Sequence, residues 1–87
     1  MAKAKKMKSE DPDIGSVVRF HRKESGLTQE QLAKLAGVGK TAVFDIEKNK
    51  PSVQLDTMRK VFKVLNINIR LLSPLMDQFE ARSNEKS

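Results

Sequence analysis

The 87-residue chain contains no cysteine, and histidine occurs once, at His21. Without thiols there is no disulfide framework and no thiolate metal site, and one histidine builds neither a metal cage nor a His-based dyad with a thiol. No metal and no cofactor are therefore expected. Long apolar runs are missing too. Nothing approaches the roughly 18 residues of a membrane span, and the N-terminus lacks the apolar stretch of a secretory signal, so a cytoplasmic chain is expected. No two side chains suggest a nucleophile and its base, so no catalytic residue is assigned and no enzyme is expected. At this length the core is small enough that association is a common remedy.

One short motif invites a catalytic reading. Gly37-Val38-Gly39-Lys40-Thr41 contains the Gly-Lys-Thr of a phosphate-binding loop. Such a loop also needs a glycine five residues earlier, so that backbone N–H groups can turn inward, and it must connect a buried strand to a helix. Lys34 holds the glycine position, and the residues ahead of the motif place Leu32, Ala33, Leu35 and Ala36 at a helical period. Both requirements fail, so Lys40 needs another explanation.

The net charge of +6 suggests nucleic acid, but Lys3, Lys5, Lys6 and Lys8 all fall in the first eight residues, and the rest carries only +2. Any claim about DNA must therefore rest on where residues lie rather than on overall basicity. Residues 1–11, like-charged and without apolar periodicity, read as a disordered Lys-rich arm.

Asp11 as cap, Pro12 at the first helical position and Asp13 against the dipole predict a helix from about Pro12 to Ser25, stopped by Gly26. Ile14, Val17, Val18, His21 and Ser25 share its inner face, which makes His21 a half-buried structural residue. Thr28 and Gln31 have capping-box spacing, and Gly37 ends a short second helix. Val38 and Gly39 turn the chain into a third helix, with Val43 and Ile46 inward and Phe44 at its edge. Asn49 can close it in the left-handed conformation, and Pro51 blocks continuation. Two short helices joined by a tight turn containing glycine form a helix-turn-helix signature. Leu55, Met58, Val61, Phe62 and Leu65 mark a fourth helix ending at Asn66. The period then changes to two: Ile67, Ile69 and Leu71 face one way, and Asn68, Arg70 and Leu72 the other. A lone strand leaves its backbone groups unpaired, so this one is expected to pair with its own copy across a homodimer axis. Residues 73–87 are expected to be a flexible tail, in which Leu75, Met76 and Phe79 can form a small apolar patch on a helix after Ser73-Pro74.

The stretch LTQEQLAKLAGVGKTAVFDIEKNKPSVQLDTMRKVFKVLNI resembles the helix-turn-helix domain of the Xre, or lambda-repressor-like, family of transcriptional regulators. The features that carry the resemblance are the LTQEQLA second helix, the Gly-Val-Gly turn, the Ile46-Glu47 pair and the KPSVQL continuation. It spans about Ile14 to Leu72. The implied fold is mainly α: a domain over 12–72 of four to five helices, with one short C-terminal β-strand pairing across a homodimer through Ile67, Ile69 and Leu71.

The resemblance also implies roles for individual residues. Lys40, Thr41 and Ala42 meet base edges in the major groove, with Phe44 and Asp45 one turn later, where consensus relatives carry a small polar and a basic residue. Thr28, Gln29, Lys48, Asn49 and Lys50 meet phosphate. Arg22 and Glu47 match an ion pair that locks the third helix against the first. Within the family the strand and the KPSVQL linker look most like HipB-type antitoxins, which act with a HipA-type kinase toxin. The expected function is a homodimeric repressor of a palindromic double-stranded DNA operator. A stand-alone Xre or Cro-like regulator, and an adaptor that has lost DNA binding, are the alternatives.

Overall fold

Five helices follow one another in the computed structural model, which describes residues 12–86. The arm expected over 1–11, with Asp11, lies outside the described residues. Helix α1 runs Ile14–Glu24, α2 Gln29–Ala36, α3 Lys40–Glu47, α4 Leu55–Leu65 and α5 Met76–Lys86.

The start of α1 corrects the expected boundary. The helix begins two residues after Pro12, with Asp13 as its N-cap, because the Asp13 Oδ1 accepts the Ser16 N–H at 2.7 Å, the third-position amide a cap satisfies. Hydrogen bonds from the Ser16 backbone and side chain, and then from Asn49, hold the Asp13 carboxyl below its ordinary value. At α2 the reciprocal pair forms: Thr28 Oγ1 accepts from the Gln31 N–H at 3.0 Å, and the Gln31 side-chain Oε1 accepts from the Thr28 N–H at 2.9 Å. Gly37 then takes φ 73°, which lets the Val38 N–H reach the Ala33 carbonyl at 3.0 Å and close the helix. A side chain at that φ would cost about 1–2 kcal/mol. Asn49 and Asn66 adopt φ 60° and 59° and end α3 and α4 in the same manner.

Val18, Leu32, Ala33, Val43, Ile46, Val61, Phe62 and Leu65 form the core, one or more from each of α1 to α4. Helix α2 packs against α3 and α4, while α1 packs against α3 and α4. In the turn between α2 and α3, Val38 packs against the core while Gly37, Gly39 and Lys40 are exposed, which leaves the N-terminus of α3 at the surface. None of the described helices is long and apolar enough to cross a membrane.

The strand expected over Ile67 to Leu72 is absent: among the described residues there is no strand, and this stretch has no regular secondary structure. A strand exists only through a ladder, and the chain folds no second strand alongside this one. Ile67 is half-buried against the core, while Ile69 and Leu71 are exposed. The segment after Ser73-Pro74 carries α5, with Leu75 and Phe79 exposed. Helix α5 makes no extensive packing with α1 to α4.

Candidate nucleic-acid interface

Val43 and Ile46 are buried and turn α3 so that Lys40 and Thr41 are exposed at its first turn, with Ala42 half-buried beside them. Helical spacing then makes two outward rows: Lys40, Phe44 and Lys48, and beside it Thr41 and Asp45. In the first row the Lys48 ammonium stands 5.5 Å from the centroid of the Phe44 ring, a cation–π distance. In the second, Lys50 Nζ lies 3.8 Å from Asp45 Oδ1. Thr28, Gln29 and Lys40 line a shallow cleft with Arg22, Leu27 and Glu30, where the N-termini of α2 and α3 come together. Free N–H groups at such helix starts favour anions.

A buried node holds this surface at a fixed angle. Arg22 Nε donates to Glu47 Oε2 at 2.6 Å, and Arg22 Nη2 to Glu47 Oε1 at 3.1 Å. Arg22 Nη1 donates to the Leu27 carbonyl at 2.8 Å, and Gln29 Nε2 to Glu47 Oε1 at 3.1 Å. One carboxylate thereby ties α1, α2 and the end of α3. Burial alone would raise the Glu47 pKa. Hydrogen bonds from Arg22 and Gln29, with the charges of Arg22 and Arg19, outweigh it and leave the group below its usual 4.5.

Two placements were not foreseen. Asn49 Oδ1 accepts the Gly15 N–H at 2.7 Å, clipping the end of α3 to the start of α1. A Cβ on Gly15 would stand 2.5 Å from the Glu47 carbonyl oxygen and 2.9 Å from the Asn49 amide, so the two helices meet only because that residue is glycine. No local pattern announces a contact between residues 34 apart. The Asp45–Lys50 approach is the second, since the sequence reading gave Lys50 to phosphate alone. Gln29, also read as a phosphate contact, has its amide N–H on Glu47 and its carbonyl oxygen available.

Ile67, Ile69 and Leu71 lie away from this face. They line a groove with Leu55, Arg59, Phe62, Lys63 and Asn68 on the surface of α4.

Residues 18–72 match a helix-turn-helix family model. The uncharacterized HTH-type transcriptional regulator y4mF of Sinorhizobium fredii is 41% identical over 71 residues, covering 82% of this chain and 92% of that protein. The HTH-type transcriptional regulator SinR of Bacillus licheniformis is 36% identical over 70 residues, 77% of this chain but 61% of SinR. Among solved structures, a chain of a HipA-HipB-O2-O3 complex aligns with a TM-score of 0.64 at 25% identity, covering 78% of this chain and 97% of that one.

Proposed function

We propose, from the premise that this chain belongs to the Xre-like helix-turn-helix family of DNA-binding transcriptional regulators, that it is a homodimeric repressor of a palindromic operator and the HipB-like partner of a HipA-like kinase toxin. Its activity is binding rather than catalysis. The observation that carries the reading is the exposed N-terminus of α3, with Lys40 and Thr41 outward and the helix locked by Arg22, Glu47 and Gln29. Entering the major groove, Lys40 donates to guanine O6 and N7, the Thr41 hydroxyl serves several bases, and the Thr41 and Ala42 methyl groups and the Phe44 ring pack on thymine. Thr28, the Gln29 backbone N–H at the start of α2 and Lys48 meet phosphate and set the register, with Asn49 holding the helix end in place.

The C-terminal half supports the homodimer. Leu55, Ile69, Leu71 and Leu72 are large, apolar and exposed in the single chain, more than isolated surface positions need. Two copies of Ile67 to Leu72 pairing antiparallel about a two-fold axis would satisfy their backbone groups and cover that surface. The likeness to HipB, solved with HipA and with operator DNA, supports both partners. The second reading is a transcriptional regulator, as y4mF and SinR are named, that works without a toxin.

Footprinting on the chain's own promoter tests the DNA reading. Wild type should protect half-sites about one helical turn apart, and Lys40→Ala should lose discrimination between operator and random duplex. Equal protection by the variant removes Lys40 as the reader. Co-purification with a kinase encoded beside the gene separates the antitoxin from the stand-alone regulator.

A further inference from the structure

A carboxylate on a surface that meets DNA has few partners. Asp45 shares the outward row of α3 with Thr41, and its side chain is 27% exposed. There it repels phosphate, and most base edges in the major groove offer acceptors it cannot pair with: guanine N7 and O6, adenine N7, thymine O4. Only the exocyclic amines of cytosine and adenine donate.

Lys50 supplies the opposite charge by construction. The left-handed turn at Asn49 folds the chain back, and the Lys50 N–H donates to the Asp45 carbonyl at 3.0 Å. That bond brings Lys50 beside Asp45, with Nζ 3.8 Å from Oδ1. An acceptor and a donor this close together complement a single base pair, because the amine and the carbonyl of a pair are hydrogen-bonded neighbours about 3 Å apart on the major-groove edge. Of the two kinds of pair, cytosine–guanine suits both side chains. Guanine adds N7 beside O6, a second acceptor for the ammonium. Adenine would set its N7 against the carboxylate, and thymine would set its methyl group against the ammonium.

Resting on the DNA reading above, we infer that Asp45 and Lys50 together read one cytosine–guanine pair in each half-site, the carboxylate accepting from cytosine N4 and the ammonium donating to guanine O6 and N7. Lys50 is then a specificity residue, unlike Lys48, which lies over Phe44 in the neighbouring row. The pairing also makes the position selective against its alternatives, since an acceptor facing Asp45 leaves the charge desolvated and unmatched.

Selection from a pool of random duplexes, with the full chain as wild type, Asp45→Asn and Lys50→Met, tests this. Both positions are on the surface and Asp45→Asn keeps the side-chain shape. Wild type should enrich sites with an invariant C·G pair at one position of each half-site. Asp45→Asn should change that position to A·T, because the amide pairs with adenine N6 and N7. Lys50→Met should reduce discrimination there roughly ten- to a hundredfold and leave the salt dependence of binding unchanged. A Lys50→Met slope lower by about one identifies a phosphate contact and overturns the inference. So does an Asp45→Asn consensus identical to that of wild type. Failure of wild type to enrich any sequence is a different result: it overturns the DNA reading itself, and this inference with it.

Discussion

Glu47 accepts three hydrogen bonds in a space where its side chain is 4% exposed, and Arg22, its main partner, is 10% exposed. Removing either charge strands the other. Glu47→Ala should therefore cost about 3–5 kcal/mol, a large share of the roughly 5–15 kcal/mol by which small domains are stable. Chemical denaturation would measure it. The double variant Arg22→Met, Glu47→Leu should recover most of the loss, since apolar residues of similar volume replace a buried pair at little cost. The pH dependence has a definite sign. A carboxyl whose folded pKa lies below its unfolded value contributes stability above the unfolded pKa and loses it as pH falls through the folded one. The melting temperature should therefore fall as pH drops below about 4.5, the ordinary value for Glu47, and Glu47→Gln should flatten that part of the profile.

Elements differ in how plainly their residues announce them. The capping box of α2, the glycine that closes it and the asparagines that end α3 and α4 were all legible, because each acts on backbone groups within a few residues of itself. The first turn of α3 was legible through the family pattern. Placement between elements was not. The sequence offered Asn49 as a helix end and a phosphate contact without its side-chain bond to α1, and nothing in it marked Gly15 as the point where α3 approaches α1. Gly15→Ala should push the end of α3 outward and cost about 1–3 kcal/mol, seen as a fall of roughly 4–8 °C in melting temperature for each kcal/mol. The alternation from Ile67 to Leu72 was real as a pattern, yet a pattern of period two becomes a strand only beside another, and one chain does not bring one.

At the scale of the whole molecule, the proposed homodimer through the apolar surface around Leu55, Ile69 and Leu71 would make stability a matter of concentration. If two copies share that face, the melting temperature should rise with protein concentration, as it does whenever only the folded form associates. Ile69→Lys separates folding from association. Ile69 is 48% exposed in the single chain, so the substitution should barely disturb the fold, whereas at a dimer axis it buries unpaired charges at a cost of several kcal/mol. Sedimentation should find the variant monomeric and properly folded, with operator affinity reduced although no residue of α3 has changed. An intact Ile69→Lys dimer would place the dimer contact elsewhere.

Helix α5 would give any such association a readout in time. An eleven-residue helix with little packing beneath it falls short of the length at which isolated helices persist in water, and such segments open at little free-energy cost. A partner that covered Leu75 and Phe79 would therefore slow deuterium uptake along Met76–Lys86. Exchange in that segment becomes a clock: fast in the free monomer, slower with each partner that settles on it, while the amides of α2 and α4 report only global unfolding.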